Sequence, residues 1–239
     1  MNVTIVPFQA ELTDSWGRRM GEGRGVGLHL GDVLSYLEDV GLGKAYSGEE
    51  NSLWAAGGFM FEVMLSQAFS RYMQLADASG RGRHVVSGRE YCVYGGDTPI
   101  FINPDGYDTA NDRVEEYKAT WRSARKLLLC DRDGGLALRQ HCWRWLHQIM
   151  TYCRFFETRD ARLYILFLMG DYSYGKASKT NPTPLPAGPC MLVLDLEFSE
   201  EDLNTSWAMV ANAVPAAMEW KRQQQQKPRS NIFTSIGGK

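Results

Sequence analysis

The segment Ile100–Thr120, IFINPDGYDTANDRVEEYKAT, decides how the fold of this chain is interpreted. It opens with a short apolar run, 100–102, which leads into Pro-Asp-Gly at 104–106. The polar stretch 107–112 carries Asp, Thr and Asn, which favour turns because their side chains hydrogen-bond nearby backbone groups. The segment 114–118, VEEYK, comes next, so the pattern predicts a β-hairpin that turns over the polar stretch.

The second arm of this predicted hairpin carries an acid-x-Lys triplet at Glu116 and Lys118. Side chains alternate along a strand, so these two share one face while Tyr117 points to the other. The first arm brings Asp105 beside Glu116, so two carboxylates and an ammonium converge. Two hard oxygen ligands suit magnesium, and an adjacent ammonium suits a phosphate. An ordinary surface hairpin would also contain such charges, since an acid-x-Lys triplet occurs by chance in most proteins.

Composition indicates an ordinary globular protein. The 239 residues are enough to bury a full core without disulfide or metal staples. A formal net charge of −2 argues against bulk coating of nucleic acid, although a local basic track needs no positive total. Five scattered cysteines without a CxxC pair predict free thiols in a reducing compartment rather than an iron–sulfur cluster. The N-terminus lacks a signal-peptide pattern and no apolar run could span a bilayer, so we expect a cytoplasmic protein.

Apolar spacing predicts the elements around the hairpin. They are helices over 31–40, 53–75 and 136–156, and strands over 90–94, 162–170 and 191–198. The strand over 162–170 is continuously apolar, which predicts a central buried position. Ser199, followed by three acids, predicts the N-cap of a last helix that ends near Arg222.

Three polar residues on the predicted helices have two interpretations each. Glu62 lies in the otherwise apolar second helix, either as a solvent-facing charge or as a further acid aimed at the hairpin. Gln148 and Tyr152 are four residues apart, so they share one face of the third helix. There they can hydrogen-bond a catalytic group or a phosphate, although this spacing is common by chance.

Three arginines are candidates for contacts with DNA. Arg122 and Arg125 follow the hairpin, where they would line a groove. Arg24 precedes the N-terminus of the first predicted helix, where it is either a solvated loop residue or a contact for a terminal phosphate.

The order of these features resembles one family. A helix with an embedded acid, a strand, the acid-x-Lys hairpin, a helix with Gln-x-x-x-Tyr and a buried strand resemble the PD-(D/E)XK nuclease superfamily. Within it, residues 16–220 are similar to the RecB-like branch and its lambda-exonuclease-like phage recombination nucleases. The resemblance implies an α/β fold with a restriction-endonuclease-like core, in which a central mixed β-sheet of about five strands is flanked by α-helices. It also implies a single nuclease domain over 1–222, with 223–239 as a polar, disordered tail.

The resemblance also implies roles for particular residues. The implied catalytic residues are Asp105, Glu116, Lys118, Gln148 and Tyr152. The implied metal ligands are Glu62, Asp105, Glu116 and the backbone carbonyl of Tyr117. The implied DNA contact at the N-terminal segment is Arg24, and Gly31 departs from the family because it stands where the exonucleases have a phosphate-binding Ser.

The function implied is that of a magnesium-dependent deoxyribonuclease in which Mn²⁺ can replace magnesium. Within that class, the resemblance implies an exonuclease that acts on double-stranded DNA ends in phage-type recombination. Its partners would be duplex DNA with a free end, a single-strand annealing protein and copies of itself in a ring. It would work in the cytoplasm, which is the host cytoplasm if a phage encodes it, and it would not bind a membrane.

Two alternatives to the exonuclease stay open. The first is an endonuclease of the same fold, of the restriction-like, resolvase or packaging type. The second is a non-catalytic DNA-binding relative. The intact set of Asp105, Glu116 and Lys118 argues against the second, since binding alone does not need a lysine two residues after a metal-binding acid.

Overall fold

The structure is a computed structural model that describes residues 27–42, 60–61, 64, 85–86, 90–120, 124, 127, 135–168 and 190–226. In this part of the chain, four helices and eight strands have defined bounds. The helices are α1 (Leu30–Leu42), α2 (Leu136–His141), α3 (Trp143–Phe155) and α4 (Glu200–Gln226). The strands are β1 (Leu28–His29), β2 (Val85–Val86), β3 (Tyr91–Gly95), β4 (Thr98–Ile102), β5 (Gly106–Asp108), β6 (Arg113–Thr120), β7 (Asp160–Phe167) and β8 (Cys190–Glu197). The predicted α/β class is confirmed.

The larger sheet has five strands in the order β2-β5-β6-β7-β8. Strands β6 and β7 pair in parallel, while the other neighbours pair antiparallel, so the sheet is mixed as predicted. Strand β7 lies between β6 and β8, and its side chains at Leu163, Ile165 and Phe167 are fully buried. Tyr164 on its other face is also buried, so the continuous apolar sequence reflects a strand that is covered on both faces.

A second sheet of three strands, in the order β1-β4-β3, corrects the predicted hairpin. The run 100–102 was predicted as the arm that pairs with the acid-x-Lys strand, but it belongs to β4 and pairs with β1 and β3. The arm that pairs with β6 is β5, whose residues were predicted to begin the turn. Pro104 stands between the two strands, and without a backbone N–H it cannot continue one hydrogen-bonded ladder. The chain therefore changes sheets at Pro104 and Asp105.

Alternation along β6 defines two faces of the larger sheet. We call the side of Val114, Glu116, Lys118 and Thr120 the front face, and the side of Arg113, Glu115, Tyr117 and Ala119 the rear face. Helix α3 covers the front face, where its Ile149 and Cys153 join the main core, and α1 and α4 pack on α3 in turn. On the rear face, helical Phe61 packs against Tyr117 and Tyr164.

The helices differ from their predictions at two boundaries. The helix predicted over 136–156 is divided at Cys142, whose φ of −124° and ψ of 27° lie outside helical values. Its N–H still donates to the Leu138 carbonyl at 2.8 Å and its carbonyl accepts from Leu146 at 3.0 Å, so the hydrogen bonding continues across the break. Helix α4 runs to Gln226, past the predicted end at Arg222 and into the predicted tail.

The predicted N-cap of α4 is present. The Ser199 hydroxyl accepts from the Asp202 N–H, and the Asp202 carboxylate accepts from the Ser199 N–H, both at 3.1 Å. This reciprocal arrangement satisfies backbone donors that a helix start leaves unpaired. No helix in the described ranges is long and apolar enough to cross a membrane. The extent of the domain over 1–222 stays a prediction.

Candidate active site on the front face

Asp105, immediately before β5, and Glu116 of β6 lie opposite each other at the point where the chain changes sheets. Strand β5 pairs with β6 so that Gly106 is opposite Glu115, and the same antiparallel register places Asp105 opposite Glu116. The Tyr117 N–H donates to the Asp105 carboxylate at 2.7 Å. This bond fixes Asp105 against β6 although Asp105 itself lies just outside a strand.

Glu116 and Lys118 contact each other on the front face, as strand alternation predicts. The Lys118 ammonium donates to Glu116 Oε1, while Tyr117 between them packs on the rear face. The Glu116 side chain is completely shielded from solvent, whereas Lys118 keeps 19% of its side chain exposed. A fully buried carboxylate thus has its cation at the edge of a solvent-accessible space.

Helix α3 brings Gln148 and Tyr152 to the same place. They stand one turn apart, and the Gln148 amide donates to the Tyr152 hydroxyl at 2.8 Å. That hydroxyl donates in turn to the carbonyl of Asn103 at 3.3 Å, two residues before Asp105. The tyrosine therefore joins the helix to the backbone segment that carries the first acid.

The pKa values of the site show that its charges act on one another. Burial raises the pKa of the Asp105 carboxyl, and the Lys118 ammonium and the Tyr117 N–H partly oppose this rise. Burial also raises the pKa of the Tyr152 hydroxyl well above 10, and the charges of Glu116 and Asp105 raise it further. Two acids, one ammonium and one tyrosine hydroxyl therefore share a poorly solvated space.

This donor set fits a magnesium ion. Two carboxylates against one ammonium leave an excess of negative charge where solvation is weak, which a divalent cation would offset. Magnesium typically binds through one or two carboxylates, with waters and substrate phosphates completing its six positions. No group of three or more His, Cys, Asp or Glu side chains gathers among the described residues. Among the described residues, the site thus presents two carboxylates, a number that an open magnesium site completed by waters can use.

Four predicted residues lie outside the described ranges. They are the helix acid Glu62 and the arginines Arg24, Arg122 and Arg125. Their roles stay predictions.

At the N-terminus of α1, where contact with a terminal phosphate was one of the two interpretations of Arg24, the chain places its own acid, Asp32. The Asp32 carboxylate accepts from the His29 N–H at 2.9 Å and from the Lys221 ammonium at 2.6 Å. Lys221 also donates to the Gly27 carbonyl at 2.8 Å. Sequence reasoning did not foresee this pair, because 189 residues separate the two side chains.

The rear face carries a second buried charge cluster that the sequence also did not reveal. Glu115 is completely shielded, like Glu116, and accepts from the Tyr117 hydroxyl at 3.1 Å. The Arg113 guanidinium lies 3.5 Å from Glu115, 3.4 Å from Asp108 and 3.7 Å from Asp195. These residues come from three strands that are brought together by the sheet.

Comparisons with known proteins give similarities of fold. No protein-family model matches the chain, and no curated protein matches it. Among solved structures, it is similar to SSO0001 at 12% identity with a TM-score of 0.46, over 95% of this chain and 91% of that one. It is also similar to a phage related exonuclease from Haemophilus somnus 129PT at 10% identity with a TM-score of 0.40, over 87% of this chain and 100% of that one. The chemistry of the site therefore has to follow from its own side chains.

Proposed function

We propose that this chain is a magnesium-dependent deoxyribonuclease with a restriction-endonuclease-like core, of the RecB-like branch of the PD-(D/E)XK superfamily. Within that class we propose an exonuclease that acts on double-stranded DNA ends in phage-type recombination. The observation that carries the proposal is the convergence of Asp105, Glu116 and Lys118 on one sheet face. Tyr152 of α3 lies near them, and the charges of both acids raise the pKa of its hydroxyl. Binding alone does not need a lysine two residues after a metal-binding acid, which argues against a non-catalytic DNA-binding relative.

The two acids are the proposed metal ligands. Asp105, just before β5, and Glu116 of β6 present anionic oxygens, and Glu62 and the Tyr117 carbonyl are proposed to complete the protein's share. When bound, magnesium would polarise a phosphate oxygen and make an attacking water more acidic. Because Asp105 is held by the Tyr117 N–H, its carboxylate is oriented before the metal arrives.

The remaining residues act on the substrate. The Lys118 ammonium, held beside Glu116, would offset the negative charge that builds up on the phosphate in the transition state. Gln148 and Tyr152 would position the phosphate or the water through hydrogen bonds, since the raised pKa keeps Tyr152 neutral. Lys118 is therefore expected to affect turnover more than substrate binding.

The test is time-resolved digestion of end-labelled linear duplex in magnesium, with closed circular DNA beside it. Wild-type protein should degrade the linear duplex and leave the circle intact, and EDTA should stop the reaction. Cleavage of the circle would replace the exonuclease with the endonuclease alternative. Absence of any cleavage would overturn the nuclease proposal.

Two variants at position 118 connect any activity to this site. Lys118→Ala should lower turnover by about 10²- to 10³-fold while DNA binding changes little. Because Glu116 is fully buried, removing its cation can also weaken the fold. Lys118→Arg is the matched control, since it keeps a positive charge beside Glu116 but replaces a compact ammonium with a planar fork. Wild-type cleavage by both folded variants would contradict the mechanism.

A further inference from the structure

Three side chains of α3 form a row that leads away from the proposed active site. Arg144, Gln148 and Tyr152 are separated by four residues each, so they lie on one stripe of the helix. Tyr152 is buried, Gln148 is half-buried, and the Arg144 side chain is 38% exposed. The row therefore emerges from the acid cluster to the surface over about 12 Å of helix.

Arg144 at the outer end of this row and Tyr152 at its inner end both hydrogen-bond the backbone at the same end of the small sheet. Strand β1 runs parallel to β4, with His29 opposite Phe101, so α1 begins where β4 leads towards Asn103. Tyr152 donates to the Asn103 carbonyl, and Arg144 donates to the Gly31 carbonyl at 3.1 Å. The row therefore lies along the backbone between Asn103, which follows the small sheet, and Gly31 at the start of α1.

Arg144 also faces an acid. Its guanidinium lies 3.6 Å from Glu38 on α1, and both side chains are partly exposed. A guanidinium has five N–H donors in a planar fork, so one carbonyl and one carboxylate do not exhaust its capacity. The fork matches phosphate oxygens as well as it matches a carboxylate.

We propose that Arg144 binds a DNA backbone phosphate and so guides the strand into the proposed active site, an inference that rests on the proposed nuclease function. Phosphates along one strand are spaced about 3.4 Å per nucleotide along the duplex axis, so the phosphate bound would be about two to four nucleotides from the cleaved bond. Glu38 would compete with that phosphate for the guanidinium. The contact reads no base, and it positions the strand only.

The competing explanation is that Arg144 simply joins α3 to α1. In that case, removal of either partner of the ion pair would weaken the fold and have the same effect on DNA. In our proposal the two partners have opposite effects on DNA. Arg144→Ala should weaken binding, while Glu38→Gln should strengthen it, because the phosphate loses its competitor.

The experiment measures binding of a short fluorescent duplex by anisotropy, with calcium in place of magnesium, across a series of salt concentrations. Arg144→Ala should weaken binding about tenfold and lower the slope of log affinity against log salt by about one. Arg144→Lys should keep most of the slope. Arg154→Ala is the matched control: it removes an arginine from the same helix that donates to Asn204 of α4 at 2.5 Å, on the side away from the row.

Turnover measurements on the same variants separate the two proposals. Arg144→Ala should raise KM about tenfold and leave kcat within about twofold, because the contact is made equally before and during the reaction. An unchanged salt slope and KM in folded Arg144→Ala, or equal losses in Arg144→Ala and Glu38→Gln, would overturn the inference. If wild-type protein binds DNA but does not cleave it, the proposed function fails, and the salt slopes alone decide whether Arg144 binds phosphate.

Discussion

Glu115 and Glu116 are consecutive residues with the same burial, yet the two faces of β6 put them in different surroundings. Both are completely shielded from solvent, and both have a cation two residues away on the same strand. On the rear face that cation is Arg113, and on the front face it is Lys118. Since the residue type, burial and spacing are alike, the difference lies in the partner groups.

The rear face is built as a structural network. Arg113 contacts acids from three strands, and Arg162 binds Asp195 through two parallel contacts of 2.5 and 2.7 Å. The Tyr117 hydroxyl donates directly to Glu115. Arginine is always charged and fits carboxylates with its planar fork, so this cluster joins the strands rigidly.

The front face is arranged differently. Its cation is a compact ammonium, and its tyrosine hydroxyl, from Tyr152, donates to a backbone carbonyl rather than to an acid. Both acids nevertheless act on that hydroxyl, because their charges add to burial in raising its pKa. A carboxylate that contacts a guanidinium and accepts from a hydroxyl supports the fold, whereas two acids that share one ammonium are the arrangement on which the proposed metal site rests.

The largest expected difference is in cleavage. Glu116→Gln should lower cleavage of linear duplex by about 10²- to 10³-fold, because a neutral amide is a poor ligand for magnesium. Glu115→Gln should cleave within about threefold of wild type at a temperature where it is folded. Steady-state turnover in magnesium measures both. Equal losses in the two folded variants would remove the functional distinction between the faces.

The second difference is in stability, and its order is reversed. Glu115→Gln should lower the free energy of unfolding by about 1–3 kcal/mol, because Arg113 loses one of its buried acids. Glu116→Gln should change it by less than about 1 kcal/mol without metal, since the repulsion from Asp105 is relieved as the contact with Lys118 weakens. Urea unfolding in EDTA tests this. A larger loss in Glu116→Gln than in Glu115→Gln would show that the front cluster is the structural one.

The third prediction concerns the tyrosine on the front face. Tyr152→Phe keeps the ring in the core and removes the hydroxyl, so cleavage should fall about tenfold, and the lost hydrogen bonds to Gln148 and Asn103 should cost about 1 kcal/mol of stability. Gln148→Leu should give a similar loss, since its amide donates to that hydroxyl. If the two act as a unit, the double variant should be no slower than either single variant. Additive losses would show that they act independently.

The last prediction concerns sensitivity to acid, which we expect to arise from a histidine rather than from either glutamate. Burial lowers the pKa of His147 on α3 from 6.5 to about 4, and its Nδ1 lies 2.8 Å from Ser206 Oγ. The unfolded chain therefore takes up the proton first, so stability from the neutral imidazole is full above pH 6.5 and is lost as pH falls towards 4. After discounting for partial exposure, this loss is about 2 kcal/mol.

His147→Gln tests this origin of acid sensitivity. The variant should show a flatter dependence of unfolding free energy on pH between 4 and 6.5. Glutamine can still hydrogen-bond the Ser206 hydroxyl, which keeps the packing comparable. Urea unfolding across this window compares the two proteins, and parallel curves would place the acid sensitivity in other groups.

Local patterns predicted the parts of this molecule that depend on near neighbours. Alternation along 113–120 separates Glu116 and Lys118 from Tyr117, and the helical spacing of Gln148 and Tyr152 gives the observed hydrogen bond. The Ser199 N-cap follows from residues within one turn. These features follow from backbone geometry, which fixes where side chains within a few positions point.

Contacts between distant segments were decided by tertiary structure alone. The sequence did not reveal that 100–102 would leave the predicted hairpin for a second sheet, nor that Arg144 would contact Gly31 across 113 residues. The sequence also did not show that Glu115 and Glu116 would have different partners, since Asp108, Arg162 and Asp195 come from other strands. By itself, the sequence determined which side chains share a strand face or a helix stripe. Only the packed sheet decided which charges meet there, because strand order and sheet pairing depend on burial summed over the whole fold.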